Sequence, residues 1–290
     1  MAVRDFPRRA GSSGDSILDS WIDLLADRIP IDLQIELTSV ADGDELGIFD
    51  ASANAYRKIT KANLVGSPIT QVVTQVFTSS STYTPTTGML FCDVEVQAPG
   101  GGSGGADMGT VSGAAGGGGG GEYVRAVLSA ATIGASKAVT IGAVGTAGAA
   151  ANGTNGGVGG TTSLGTLITA IGGSGGIGTG ANSASQAARL GGIGGTGGTV
   201  PAGGHAIAGG RGWPGVVFAP TAAATDPVLA GSGGDSMLGR GARGTTTIDA
   251  AGTAGQSYGG GASGATEDDT TGQAGSTGGV AIIIITEYVG

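Results

Sequence analysis

The sequence predicts a mainly β protein in two parts: a small α+β N-terminal unit, then a glycine-rich, β-sandwich-like domain with polyglycine II-type segments. Three observations support this prediction. Only 6 of the 64 glycines precede residue 100. The other 58 include short runs of Gly-Gly-X triplets, and short apolar strands flank the glycine-rich part on both sides. The chain therefore joins an ordinary folding segment to a polymer-like one.

The first 14 residues form a basic arm, in which Arg4, Arg8 and Arg9 precede a Gly-Ser-Ser-Gly sequence. Two interpretations of this arm stay open. It is a frayed terminus, or it is a peg that becomes ordered when it docks into a partner.

Residues 15–64 are predicted to form the small α+β unit. A helix begins at Asp15 or Ser16 and ends at Pro30, and its apolar face includes Trp21. An alternating strand over 31–37 and a hairpin follow, with hairpin strands at Glu45–Asp50 and Tyr56–Thr60. A unit of about 50 residues buries too little surface to be stable alone, so we expect docking or oligomerisation to stabilise it.

Residues 65–81 are predicted to be a neck or trimerisation linker between the two parts. Ile69, Val72 and Val76 have the three-then-four spacing of a short coiled coil. The β-branched content of the same residues fits an extended segment equally well, and the sequence leaves both alternatives open.

The distal domain, residues 82–290, begins with a predicted strand over Thr82–Gln97. Leu90, Cys92, Val94 and Val96 alternate on one face, and polar residues that include Gln97 lie on the other. Cys92 is the only cysteine, and this alternation predicts a buried small hydrophobe rather than a reactive thiol. Further strands are predicted at 123–128 and 138–141.

Glycine triplets dominate the middle of this domain, and they surround one uninterrupted tract, Gly116–Gly121. Gly-Gly-X runs lie at 156–160, 172–177 and 191–198. A period of three matches the three residues per turn of an extended polyproline-type helix, and two glycines in three let neighbouring helices touch. Such tracts are either disordered or packed directly against other backbone.

The last predicted strand, Val280–Tyr288, favours order over disorder because a flexible tail has no use for it. Ile282–Ile285 are consecutive isoleucines that point to both sides of a strand. We therefore expect both faces to be covered, by a sheet sandwich or by a trimer axis.

Several functional classes are disfavoured by composition. The formal net charge is −9 with no basic run, so nucleic acid is not an expected partner. No signal peptide or membrane-spanning run is expected. One histidine and one cysteine predict no metal site, and the Gly-X-Gly-X-X-Gly matches within 173–197 are chance matches in glycine-rich sequence, so no cofactor is expected. We expect no enzymatic activity and no catalytic residues.

Aromatic and thioether side chains in loop-like sequence are the candidates for ligand contact. Aromatic rings stack on sugars and dominate binding hot spots, although they also fill small gaps in a domain that is poor in side chains. The candidates are Trp213, Phe218, Met237 and Tyr258.

Six segments follow one another along the chain: Val94-Glu95-Val96, Pro99–Gly105, Glu122–Arg125, Val139–Gly142, Gly160–Gly173 and Gly278–Ile283. This ordered series resembles the glycine-rich C-terminal domain of bacteriophage tail fibres, or receptor-binding proteins. The resemblance covers about two thirds of the chain, and 49–64 is similar to a segment near the start of phage fibre proteins.

The resemblance implies a non-enzymatic virion fibre, a homotrimer made in the host cytoplasm and carried on the tail or the capsid surface. Its N-terminal part attaches to other virion structural proteins. Its loops in 200–275 bind a host-surface polysaccharide or an outer-membrane component. The alternative is a head fibre or decoration protein with a purely structural role. The candidates for attachment to the particle are Arg4, Phe6, Arg8, Arg9 and Trp21.

Overall fold

A computed structural model describes residues 45–50, 55–60, 69–107, 109, 112–180, 188–218, 226–268 and 271–290. The chain divides into two compact units, Met1–Ser67 and Pro68–Gly290. The predicted arm, the helix after Asp15 and the strand over 31–37 lie outside the described residues.

The described part of the first unit is an antiparallel hairpin. Strand β1 spans Glu45–Asp50 and strand β2 spans Ala55–Thr60. Glu45 pairs with Thr60 at the open end, and Asp50 pairs with Ala55 beside the turn. The predicted hairpin is confirmed, and its second strand begins one residue earlier than predicted.

The second unit is mainly β, as predicted, and contains several separate antiparallel sheets. One short helix, α1 (Ala130–Ile133), lies between β8 and β9. In chain order the strands are β3 (Gln71–Phe77), β4 (Ser81–Tyr83), β5 (Met89–Gln97), β6 (Ala106–Asp107), β7 (Gly113–Ala114), β8 (Tyr123–Ser129), β9 (Lys137–Thr140), β10 (Thr162–Leu164), β11 (Ile168–Ala170), β12 (Thr179–Gly180), β13 (Ala188–Arg189), β14 (His205–Ile207), β15 (Gly215–Val217), β16 (Val228–Leu229), β17 (Thr266–Glu267) and β18 (Ile282–Val289).

The largest sheet has the order β14-β8-β5-β18-β3, and a second sheet has the order β11-β10-β9-β4. Of the two alternatives for the segment after residue 65, Gln71–Phe77 adopts the extended one and pairs with β18. The core joins the two sheets and contains Tyr83, Met89, Cys92, Val94, Val96, Ala98, Val124, Ala126, Leu128, Ile133, Val139, Leu164, Ile168, Ala170, Ile283 and Ile285.

The strand predicted over 82–97 is two strands in the structure. Ser81–Tyr83 joins the smaller sheet, and the chain then turns through Gly88 (φ +85°) before β5 begins. Cys92, Val94 and Val96 are buried as predicted, but Met89 takes the buried place predicted for Leu90. The reason is a register shift between Tyr288 and Val289 of the neighbouring strand, which changes the pairing at this end of β5.

The final strand is covered fully on one face only. Ile283 and Ile285 are completely buried in the core, whereas Ile284 is half-buried on the opposite face. Ile284 lies opposite Val76 of the edge strand, and Val76 is 56% exposed. On the same face as Ile284, Ile282 is buried (4% exposed). The expectation that both faces are covered therefore holds only in part within one chain, because the second sheet lies on only one side of the first.

Beyond the sheets, the chain forms a bundle of extended glycine-rich segments. Residues 115–122, which contain the six-glycine tract, run through its interior. Each amide in 115–122 donates a hydrogen bond of 2.8–3.1 Å to another segment, and the accepting carbonyls, in order, are those of Ala265, Ile177, Trp213, Ala262, Ser174, Gly210, Gly259 and Ile171. The partner changes with every residue and returns three residues later, as expected for three residues per turn.

Segment 115–122 also accepts hydrogen bonds from three further segments. The carbonyls of Gly116, Gly117 and Gly118 accept from the amides of Gly104, Gly192 and Gly234. Residues 115–122 thus have six neighbours, to which they alternately donate and from which they accept. Segments 99–106 and 259–266 have the same surroundings, so three inner segments lie side by side within an outer ring of segments. The predicted polyglycine II-type segments are confirmed.

Close approach explains why the inner tract is glycine. A Cβ atom added to any residue of Gly116–Gly121 would lie 2.1–2.2 Å from a neighbouring backbone oxygen. No side chain fits at that distance. In the ring, two residues of each triplet face inward and the third faces solvent. The two glycines of each Gly-Gly-X triplet are therefore the buried positions, and X is the exposed one.

The two ends of the bundle differ. Segment 99–106 continues from β5, and segment 115–122 leads into β8, so the two main sheets lie at one end. Residues 106–107 and 112–114, where the first of these segments ends and the second begins, mark the opposite end, which we call the far end. Because the ring segments run up and down between these ends, their connections fall alternately at the sheets and at the far end.

Substitution of Gly119 tests this packing directly. In Gly119→Ala the new Cβ would lie 2.1 Å from the carbonyl oxygen of Ile193, so we expect a loss of about 2–3 kcal/mol or more in the free energy of unfolding. The matched control is Ile193→Ala, which changes a 58%-exposed side chain on the other side of the same contact and should cost less than about 0.5 kcal/mol. Urea denaturation measures both, and equal effects would contradict the packing.

Candidate functional site

Outward positions of the ring carry apolar side chains that the bundle does not bury. Val158 is 65% exposed, Ile193 is 58% exposed and Trp213 is 69% exposed. Because backbone hydrogen bonds hold the ring segments, these side chains make little contribution to packing. They are available for contact with another molecule.

The far end of the bundle is acidic. The carboxylates of Asp107 and Asp249 accept hydrogen bonds from backbone amides. Asn152 N donates to Asp107 Oδ2 (2.6 Å), and Asp268 N donates to Asp249 Oδ1 (3.1 Å). Phe218, which is 51% exposed, lies on the connection that follows β15 at this end. Among the described residues, the acidic residues in the far-end segments are Asp107, Asp226, Asp249, Glu267 and Asp268.

Three neighbouring ring segments form a surface that we call the arginine flank: residues 209–213, 230–235 and 239–244. Trp213 N donates to the carbonyl of Ser232 (2.8 Å), and Gly233 N donates to the carbonyl of Ala242 (2.8 Å), so the middle segment joins the other two. Arg211, Arg240 and Arg243 are all exposed on this surface. Among the described residues they form no ion pair and no side-chain hydrogen bond.

A shallow pocket of about 340 Å³ adjoins the flank and is lined by Asp235–Arg240. Ser236 shapes its loop: Ser236 Oγ accepts from Gly239 N (2.9 Å) and donates to the carbonyl of Tyr258. Met237 lies at this pocket and is 56% exposed. Tyr258 N also donates to the carbonyl of Leu238, which brings the tyrosine beside the same loop.

Gln97 anchors this loop to the sheet. The alternation of its strand places it on the face opposite Val96, and in the structure it is completely buried although it is polar. Its Oε1 accepts from Leu238 N (3.3 Å), and its Nε2 donates to the carbonyls of Gly121 and Glu122 (both 3.0 Å). The strand runs into the bundle at this point, so the bundle covers this face at the end of the strand.

Glu122 makes a second anchor at the same junction and was also missed by sequence reasoning. It is 2% exposed, and its carboxylate accepts from Ile171 N (2.9 Å) and from Gly198 N (3.0 Å). A lone acid after six glycines gives no pattern that predicts this role. Together the two anchors fix how the bundle joins the sheets, and thereby fix the position of the arginine flank.

The four predicted ligand-contact residues are therefore divided between two places. Trp213 is on the arginine flank, and Met237 and Tyr258 are at the loop beside it, whereas Phe218 is at the far end. The attachment candidates lie outside the described residues. These candidates are Arg4, Phe6, Arg8, Arg9 and Trp21.

Charged groups on the outer face of the five-stranded sheet are satisfied within the chain, unlike those of the flank. Arg125 pairs with Asp93 through two hydrogen bonds of 3.1 Å from its Nε, and Tyr123 donates to Glu95 (2.7 Å). The pKa of Arg125 is raised by its hydrogen bonds to Asp93. The pKa of Tyr123 is raised by burial and then by the hydrogen bond to Glu95.

Two kinds of site are not found in the part of the chain that the structure describes. No three His, Cys, Asp or Glu side chains come together there as a metal site. None of the helices there has the length and apolarity to cross a membrane.

The architecture is a bundle of glycine-rich segments that projects from a pair of β-sheets. The sequence model of the glycine-rich domain matches residues 75–284. The chain belongs to this glycine-rich domain family. The matched region begins within β3 and ends within β18, so it includes the whole bundle and most of the two main sheets. No curated protein matches the chain.

Alkaline titration tests the buried groups of this glycine-rich domain. Burial raises the pKa of the Cys92 thiol from 9.0 to about 11. Between these values the native state keeps a proton that the unfolded state has lost, so the free energy of unfolding falls as pH rises through this range. Tyr123 adds to the fall above a pH of about 10, its ordinary pKa. We expect the urea midpoint to decrease with pH in this range, and to decrease less in Cys92→Ala.

Equal pH dependence in Cys92→Ala and the unaltered chain would contradict this assignment, because the variant has no thiol to titrate.

Proposed function

We propose that this glycine-rich domain protein is a non-enzymatic fibre protein of a bacteriophage virion. Its N-terminal part attaches to the particle, and side chains on its bundle bind the host surface. The observation that carries the proposal is the 69%-exposed Trp213, which a rigid backbone lattice holds out to solvent.

The bundle suits recognition because its stability and its surface depend on different atoms. Backbone amides and carbonyls hold the segments together, as in Gly117 N to Trp213 O (3.1 Å). Trp213 therefore fixes the lattice through its main chain, while its indole is left for a ligand. Because its main chain is already held by hydrogen bonds, binding at Trp213 costs little further backbone freedom.

Repetition in an assembly would raise the strength of weak contacts. We propose that the chain acts as a homotrimer, so that one particle presents the same surface several times. Linked sites bind with much greater avidity than single ones, without any new contact. One exposed aromatic residue in each copy of the chain, such as Trp213, is then sufficient for firm adhesion.

Binding of the labelled chain to whole bacteria tests this proposal. The purified full chain is applied to a panel of bacterial strains, and bound fluorescence is measured for each. We expect saturable binding to a subset of strains, and we expect Trp213→Ala to weaken it at least about tenfold, as loss of a hot-spot aromatic does. The matched control is Val158→Ala, since Val158 is also on the ring and is 65% exposed.

Absence of saturable binding to every strain, together with failure of the chain to block phage adsorption, would reject the host-binding role and favour a structural fibre. Equal loss of binding in Val158→Ala would show that the bundle binds, but not through Trp213.

A further inference from the structure

The charges of the bundle and its sheets are separated in space. Residues 100–290 contain nine acidic and six basic residues. Among the described residues, five of the acids are in the far-end segments together with Arg189, whereas three of the basic residues, Arg211, Arg240 and Arg243, are on the arginine flank. In a chain whose net charge is −9, the flank is a local excess of positive charge.

The three guanidinium groups start from neighbouring backbone positions. Gly210 N donates to the carbonyl of Asp235 (2.6 Å), which sets Arg211 beside the middle segment of the flank. On the other side of that segment, Gly233 is bonded to Ala242, next to Arg243. With a rise of about 3.1 Å per residue and about 5 Å between bonded segments, the three Cα atoms lie within about 12 Å of one another.

The one acid of the flank is used locally. Asp235 Oδ1 accepts a hydrogen bond from Gly241 N (2.8 Å), which holds the turn after the pocket. Among the described residues Asp235 forms no ion pair with the arginines. Three cations therefore face solvent around one engaged carboxylate.

We infer that the arginine flank binds an anionic polysaccharide. This inference rests on the proposed host-surface function and names its ligand class. Guanidinium groups bind carboxylates and phosphates through paired hydrogen bonds, which is the chemistry that Arg211, Arg240 and Arg243 leave unused. Trp213 supplies the flat face on which a sugar ring stacks. The pocket at Asp235–Arg240 gives a neighbouring recess for a substituent.

A long nucleic acid fits this surface less well. One exposed indole offers a single stacking position, and three cations neutralise few phosphates. The ligand class is therefore a sugar polymer with spaced negative charges.

Biolayer interferometry with the immobilised full chain tests the inference. The first pair of probes is polygalacturonate and its methyl-esterified form, which share a backbone and differ in charge. The second pair is rough-type lipopolysaccharide before and after dephosphorylation, which separates phosphate from carboxylate as the source of charge. We expect the charged probe of at least one pair to bind. Its methyl-esterified or dephosphorylated form should bind at least about tenfold more weakly, and higher salt should weaken the binding of the charged probe.

The variants Arg211→Ser, Arg240→Ser and Arg243→Ser are compared singly and together. The triple variant should lose at least about tenfold in affinity. The matched control for a single charge is Lys137→Ser, because Lys137 is a partly exposed cation of β9 away from the flank. It should change affinity less than about twofold.

Three results would overturn the inference: no binding of either charged probe, equal binding by the triple variant, or equally tight binding of single-stranded DNA. The proposed host-binding function is judged separately on whole bacteria. If the triple variant still binds cells as the unaltered chain does, the polysaccharide assignment fails while the host-binding proposal stands.

Discussion

Direct hydrogen bonding between backbones that carry no side chains is the constraint on which this structure depends. In most domains, side chains fill the core and set the distance between elements. Here the amides and carbonyls of segment 115–122 bond to six neighbours, and an added Cβ at Gly118 would lie 2.1 Å from the carbonyl oxygen of Gly101. Glycine loses more conformational freedom on folding than other residues, so each segment is ordered only because its hydrogen bonds are satisfied on every side.

The same constraint separates the atoms that hold the bundle together from those that face solvent. Backbone atoms join the ring segments, and the third residue of each triplet is left free of packing. Arg211, Arg240 and Arg243 are therefore brought together by lattice register and not by a core. A surface built in this way can change its side chains with little effect on the lattice.

Sequence reasoning predicted those features that have a local pattern. The Gly-Gly-X runs predicted polyglycine II-type segments, and the alternation around Val94 predicted a half-buried strand. It could not predict which glycine segment lies beside which, because the segments are chemically alike and their neighbours are chosen by register and connection length. The arginine flank was missed for this reason, since residue 211 meets 240 and 243 only through the segment between them. The burial of Gln97 could not be predicted either, because it depends on a loop that contains Leu238, 141 residues later in the chain.

Amide hydrogen exchange over 99–106 and 115–122, followed by mass spectrometry of the native chain, tests the central claim most directly. If the inner backbones are bonded on every side, their amides exchange only when the whole bundle unfolds, and they are protected as strongly as the amides of β5 and β18. Exchange of the inner glycines at the rate of a free peptide, while β5 and β18 stay protected, would contradict the lattice and every surface assigned to it.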